Sequence, residues 1–173
     1  EHARRGGTIL GICGGFQMLG TQIDDPHGVE GLPGASAAGL GLLPVRTACG
    51  REKVLRLPRG TALGVAASGY EIHHGRIIVD GGTDFLGGTR EGSVFGTMWH
   101  GALEGDALRW AWLREVAAGM GCEIRAGEVS FPAAREARIE ALADLVDEHL
   151  DMDALLAMLS DGRTLPVLRG TLR

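Results

Sequence analysis

The chain has 173 residues, enough for one domain with a sizeable core, and 45% of them are hydrophobic. A net charge of −5 gives no reason to expect nucleic acid or an anionic membrane surface as a partner. No apolar run approaches the ~18 residues of a membrane span, and three widely spaced cysteines suit neither a disulfide framework nor a zinc site, so we expect a cytoplasmic protein without a metal.

The first predicted elements are a strand, a tight turn and a helix. Residues 8–12 form a short apolar, β-branched run, which predicts a buried strand, and residues 16–19 begin a helix. Between them glycines surround Cys13 in the pattern G-x-C-x-G. This pattern is typical of the strained turn that presents a nucleophile in α/β hydrolases, where a helix N-terminus stabilises a thiolate. The alternative is that Cys13 is a small hydrophobic residue at the end of a core strand.

The middle of the chain predicts a loop followed by short strands. Turn-forming residues predict the loop over 21–38. Extended segments are expected at 39–47, 53–57, 69–75, 76–79 and 93–101. The last of them would deliver His100 at its C-terminal end, where the active sites of α/β sheets collect.

Helical periodicity begins after residue 105. A first amphipathic helix is expected from Asp106 to residue 119 or 121, and a second after Pro132. Asp151 is the predicted N-cap of a short third helix. We expect one domain over residues 1–160 and a flexible tail at 161–173.

A cysteine nucleophile requires a base, and that base is usually a histidine that is close in space but not in sequence. His100 is the best placed of the six histidines. His73 and His74 occupy consecutive strand positions and point to opposite faces, so only one of them could face the site. The alternative for His100 is a strand-end histidine that is hydrogen-bonded to the backbone.

No acid is specified behind His100. The position two residues later, where many sites carry a carboxylate, is Ala102. Glu71 and Glu104 are possible orienting acids, although Glu71 could equally be a sheet-edge residue. A Cys–His dyad is therefore the minimal site that the residues predict.

Five segments and the helical tail at 135–151 resemble, in the same order, the class I (triad-type) glutamine amidotransferases, and more narrowly their cobyric acid synthase branch. The segments are GICGGFQMLG at 11–20, DPHGVEG at 25–31, GLGLLP at 39–44, GYEIH at 69–73 and GTMWHG at 96–101. The resemblance implies an α/β fold, the three-layer, flavodoxin-like sheet of that class, here lacking its first strands and followed by C-terminal helices. The missing acid after His100 agrees with this branch.

The resemblance also implies a chemistry. Cys13 would attack the side-chain amide of glutamine, and His100 would protonate the departing ammonia. The N–H of Gly14 would help to hold the oxyanion, and Gln17 aligns with a residue of the glutamine pocket. The ammonia would serve the ATP-dependent amidation of corrin carboxylates, from adenosylcobyrinic acid a,c-diamide to adenosylcobyric acid, in cobalamin biosynthesis.

The chain is expected to depart from that family in two respects, the missing first strands and a missing synthetase domain, and alternatives stay open. It contains no G-x-x-x-x-G-K-[ST] phosphate loop, so ATP and Mg are expected in a synthetase domain outside this segment, which would also bind the corrinoid substrate, and no cofactor is expected here. The alternatives are the related a,c-diamide synthase, the subunit that amidates peptidoglycan precursors, a free-standing cysteine hydrolase, and a non-catalytic truncated scaffold domain.

Overall fold

A computed structural model describes residues 1–160, and these residues form a mixed α/β fold of ten strands and four α-helices. The strands are β1 Ile9–Ile12, β2 Gln22–Asp25, β3 Ala35–Ala38, β4 Val45–Arg56, β5 Arg59–Ala62, β6 Val65–Ser68, β7 Glu71–Val79, β8 Thr83–Phe85, β9 Gly88–Glu91 and β10 Val94–Thr97. The helices are α1 Gly14–Leu19, α2 Asp106–Gly119, α3 Phe131–His149 and α4 Met152–Ser160. The α/β class with C-terminal helices that the sequence predicts is confirmed.

The first sheet carries the predicted nucleophile strand. Its strand order is β1-β10-β9-β8. β1 runs parallel to β10, with Ile9 opposite Val94 and Ile12 opposite Thr97, and the remaining pairs are antiparallel. Because β1 and β10 are parallel neighbours, the residues that follow them emerge at the same edge of the sheet.

The second sheet also has four strands, of which β4 and β7 are longer than any in the first sheet, and it is mostly antiparallel. Its order is β3-β2-β4-β7, in which only the β2–β4 pair is parallel. The long β4–β7 ladder changes register between Cys49 and Val54. β5 and β6 form a separate hairpin.

Several predicted boundaries are wrong. The predicted loop at 21–38 contains β2 and β3, and the two strands predicted at 69–75 and 76–79 are the single strand β7. The short strands β5, β6, β8 and β9 had no prediction. Glycine and alanine make up half or more of β3, β5 and β6, so the side chains of these three strands carry little of the alternating pattern that marks a strand, and backbone pairing decides the structure instead.

Two apolar clusters hold the first sheet to its helices. One lies around Phe95 and Trp112, where α2 packs, and the second contains Phe16, Leu43 and Met98, where α1 packs. Phe16 is fully buried against β10 at Gly96, where an added Cβ would overlap its ring. A glycine on β10 therefore allows α1 to lie directly on the strand.

The described chain divides into two compact units, Glu1–Phe131 and a second that begins at Pro132. In the second unit, the Ala154 backbone N–H donates to Asp151 Oδ1 at 2.9 Å, which confirms Asp151 as the N-cap of α4. One domain over 1–160 stays a prediction. The tail predicted at 161–173 lies outside the described residues.

Candidate active site

The backbone brings the predicted nucleophile and base to one edge of the first sheet. Cys13 directly follows β1, and its N–H donates to the carbonyl of Thr97, the last residue of β10, at 2.9 Å. His100 lies three residues beyond Thr97. Residues far apart in the sequence are thus held together by a main-chain hydrogen bond of the sheet.

Cys13 has the strained backbone that a nucleophile turn requires. Its φ of 51° and ψ of −114° lie in a region that non-glycine residues rarely adopt. The residue is a free thiol, half-buried, and packs against the cluster that contains Phe16 and Met98. Strained conformations of this kind concentrate at functional sites, which favours a role for the thiol beyond packing.

The glycines around Cys13 have different physical roles. An added Cβ at Gly11 would approach Leu19 Cδ1 to 2.6 Å and the Gly15 carbonyl carbon to 2.8 Å, so Gly11 allows α1 to fold back on β1. Cβ atoms added at Gly14 and Gly15 would meet nothing within 4 Å. Those two positions leave open space beside the thiol, where a substrate could approach.

His100 is fixed by contacts with Tyr70. The two residues exchange backbone hydrogen bonds of 2.8 and 3.0 Å, and their rings stack with centroids 5.0 Å apart and planes 12° apart. His100 Nε2 is buried and has no hydrogen-bond partner among the described residues. A held imidazole with an unpartnered nitrogen is suited to exchange a proton with a reacting group.

The turn between β10 and His100 is shaped by Thr97. Its hydroxyl donates to the Leu86 carbonyl at 2.8 Å and accepts the Trp99 backbone N–H at 3.0 Å. Thr97 is buried, so these bonds form in a low-dielectric setting and define the path of the chain towards His100.

Gln17 lies on α1 above the second sheet. A Cβ added at Gly75 on β7 would overlap Gln17 Nε2, so the absence of a side chain at Gly75 makes room for the amide. Gly14, the other predicted substrate-binding residue, is the first residue of α1. Both predicted binding residues thus lie on the helix that begins next to Cys13.

Glu71, the possible orienting acid, is only 12% exposed, and its Oε2 lies 3.3 Å from Arg56 Nε. It lines a cavity of about 190 Å³ together with His73, Gly75 and Met98. In the described part of the chain, no hydrogen bond joins Glu71 to His100, and its role behind the histidine stays a prediction.

His73, one of the two consecutive histidines of β7, lines the same cavity. Its Nδ1 lies 2.7 Å from the Gly75 carbonyl, and its Nε2 is buried without a hydrogen-bond partner among the described residues. Burial lowers the pKa of His73, while the Gly75 carbonyl and Glu71 act in the opposite direction. The alternation of residues 71, 73 and 75 along one strand face is the signal that could have identified it.

Neither a metal centre nor a membrane span is found in the described chain. Residues 1–160 contain no group of three or more His, Cys, Asp or Glu side chains that could hold an ion. None of their helices is long and apolar enough to cross a bilayer.

Comparison with known proteins points to one family. The sequence model of the CobB/CobQ-like glutamine amidotransferase domain matches residues 1–108. Cobyric acid synthase of Mycobacterium marinum is 62% identical over 162 residues, which are 93% of this chain and 32% of that protein. Cobyric acid synthase of Mycolicibacterium gilvum is 59% identical over 163 residues, 94% of this chain and 32% of that protein. The chain therefore spans about a third of the length of the curated relatives it matches.

Proposed function

The chain belongs to the CobB/CobQ-like glutamine amidotransferase family, and from that membership we propose that it hydrolyses glutamine with Cys13 as nucleophile and His100 as acid–base. The observation that carries the proposal is the hydrogen bond from Cys13 N–H to the Thr97 carbonyl. It ties the strained turn to the strand that leads to His100, so nucleophile and base share one sheet edge.

The proposed reaction proceeds through a thioester. The Cys13 thiolate attacks the side-chain carbonyl carbon of glutamine, and the N–H of Gly14 stabilises the oxyanion. His100 gives a proton to the nitrogen as the C–N bond breaks, and ammonia leaves. Water then attacks the glutamyl thioester, the C–S bond breaks, and glutamate and the thiol are released. Gln17 holds the substrate, and Glu71 is retained as a candidate orienting acid.

The wider role follows from the relatives. Because cobyric acid synthases match over more than nine-tenths of this chain, we assign the released ammonia to the ATP-dependent amidation of corrin carboxylates in cobalamin biosynthesis. ATP, Mg and the corrinoid would bind to a synthetase domain outside these residues. We assign the glutaminase domain to residues 1–160 and a cytoplasmic location to the enzyme.

Covalent labelling tests this proposal. The chain is treated with a diazo-ketone analogue of glutamine, and modified peptides are identified by mass spectrometry, with and without excess glutamine. A single adduct on Cys13 is expected, suppressed by glutamine and slowed by His100→Ala. Buried Cys49 and exposed Cys122 are internal controls. Equal labelling of all three thiols, unaffected by glutamine, would refute a formed glutamine site.

A further inference from the structure

An exposed apolar face lies on the part of the β4–β7 ribbon that follows the register change. Leu55 on β4 is paired with Ile72 on β7, and these residues are 75% and 44% exposed. Leu57 and Tyr70 continue the same alternation and are 83% and 44% exposed. Directly opposite residues of an antiparallel pair, and residues two apart on one strand, share a face of the sheet. The four side chains therefore form one apolar surface, which we call the ribbon face.

The opposite face of the same ribbon is covered. Val54 is buried, and its partner His73 and the neighbouring Glu71 line the cavity beside β10. One side of the ribbon thus faces the protein, while the other side presents large apolar residues to solvent. Contiguous exposed apolar residues of this kind mark interaction surfaces, whereas apolar residues scattered singly over a surface need no explanation.

The ribbon face reaches the proposed active site through Tyr70. The Tyr70 ring stacks on the ring of His100, with their centroids 5.0 Å apart. The same tyrosine belongs to the exposed ribbon face. A partner bound to the ribbon face would therefore lie within one side chain of the proposed base.

The rim of the ribbon face is basic. Residues 51–59 contain four basic side chains and one acidic side chain, a net charge of +3 within a chain of net charge −5, and all five residues are exposed. The basic residues are Arg51, Lys53, Arg56 and Arg59. A complementary partner has an apolar centre and an acidic rim. A second copy of this chain, joined face to face, would instead bring the same cations together.

The size of the ribbon face suits a tethered partner. At these exposed fractions, four large side chains offer on the order of 400 Å² of surface, half of the ~800 Å² that each side of a standard complex buries. A covalently linked partner needs less area, because a flexible linker holds it at an effective concentration in the millimolar range. Such a partner exists in the curated relatives, since this chain matches only 32% of the Mycobacterium marinum cobyric acid synthase.

We propose that the ribbon face is the docking surface for the part of a cobyric acid synthase that this chain does not match, and that this part presents an apolar patch ringed by carboxylates. The inference rests on the proposed function, in which a synthetase domain lies outside these residues. Leu55 and Ile72 form the centre of the contact, and the basic side chains around them pair with the acidic rim. Tyr70 completes the contact on the side of His100.

Photo-crosslinking identifies what occupies the ribbon face. The chain replaces its 62%-identical counterpart in the Mycobacterium marinum enzyme, so that a complete synthase is tested. Benzoylphenylalanine is placed at Ile72 or, as the matched control, at Ile78, which is 42% exposed on the same strand and about 20 Å away. Crosslinks to the Mycobacterium marinum part of the same molecule are expected from position 72 and not from position 78.

The other occupants give different crosslinks. Mixing ¹⁵N-labelled and unlabelled synthase before irradiation separates crosslinks within one molecule from crosslinks between copies. Crosslinks between copies, crosslinks to residues 132–173 of this chain, or a yield at position 72 no higher than at position 78 would each overturn the proposal.

A second experiment measures whether the ribbon face is covered. Tyr70 is the single tyrosine of this chain, so nitration followed by peptide mass spectrometry reports its accessibility. Nitration of Tyr70 is expected to be about tenfold slower in the joined synthase than in the separate chain, and Leu55→Asp should restore the faster rate, because a carboxylate is costly to bury in an apolar contact. Ile78→Asp is the control and should leave the protection in place. Equal effects of the two aspartates would contradict the proposal.

The two proposals fail separately. Labelling of Cys13 that glutamine suppresses, without crosslinks from position 72, removes the docking surface and leaves the glutaminase assignment. Crosslinks from position 72 to the rest of the synthase, without labelling of Cys13, support the docking surface and remove the proposed chemistry.

Discussion

Tyr70 and His100 are joined through both backbone and rings. Two backbone hydrogen bonds of 2.8 and 3.0 Å pair them, and their rings stack at 5.0 Å with an angle of 12°. The backbone bonds fix the main-chain position of His100, and the stacked Tyr70 ring limits the rotation of its imidazole. Tyr70 is therefore a positioning residue for the proposed base.

Removing the Tyr70 ring is expected to impair turnover more than binding. Tyr70→Ala should lower the glutaminase kcat between about ten- and a hundredfold with little change in KM, because a misplaced base loses alignment with the departing nitrogen. Tyr70→Phe keeps the stacked face and should restore most of the activity. Steady-state ammonia release measures both variants, and equal losses in the two would contradict a role for stacking.

The strained turn predicts an inverted order of stability at Cys13. Because φ is 51° and ψ is −114°, Cys13→Gly should be more stable than Cys13→Ala by about 1 kcal/mol, although glycine normally costs stability relative to alanine. Cys49 is the control, since it is a buried cysteine in the extended strand β4, where alanine should be the better replacement. Urea unfolding of the four variants measures the difference, and an advantage of alanine at both positions would refute strain at the turn.

The contact between α1 and β10 depends on a missing side chain. Gly96→Ala would drive a methyl group into the Phe16 ring, with Leu43 Cδ1 2.8 Å away, and should destabilise the fold by roughly 1–3 kcal/mol. Because Phe16 lies on the helix that begins next to Cys13, diazo-ketone labelling should also slow. Gly50→Ala is the comparison, since its nearest neighbour would lie at 3.4 Å. Equal stabilities for the two variants would contradict the close contact.

The lowered pKa of His73 predicts a loss of stability in mild acid. An unfolded histidine titrates near 6.5, above the pKa of buried His73, so below that value the unfolded chain binds the proton more readily. The contribution of His73 is fully present above pH 7 and is lost as the pH falls through the lowered pKa. His73→Gln should therefore show a shallower decline in the free energy of unfolding between pH 7 and 5. A difference from wild type that does not change with pH would refute this assignment.

The predicted part of the fold depended on strong local patterns. The strand before Cys13 and the helix from Asp106 were correct because β-branched runs and a four-residue apolar spacing carry clear periodicity. Strands β3 and β6 were missed because Ala35–Ala38 and Val65–Ser68 consist only of alanine, serine and valine, and only pairing with a neighbour makes them extended.

The candidate site, like the fold, was predicted only in part. Sequence patterns indicated Cys13 and His100 from their glycine-flanked and strand-end contexts, and strand pairing later placed their backbones at one edge. The cavity that His73 lines was missed because it lies between separate elements. The sequence shows only that His73 shares a strand face with residues 71 and 75; it does not show which other elements surround that face.

The pairing of β1 with β10 also sets when the site exists during synthesis. Cys13 is among the first residues of the described chain to be made, whereas Thr97, which accepts its N–H, comes more than eighty positions later. Until that strand emerges, the Cys13 N–H lacks the Thr97 carbonyl that accepts it. The proposed reactivity of Cys13 therefore depends on the closing of a parallel pair whose two strands are made far apart in time.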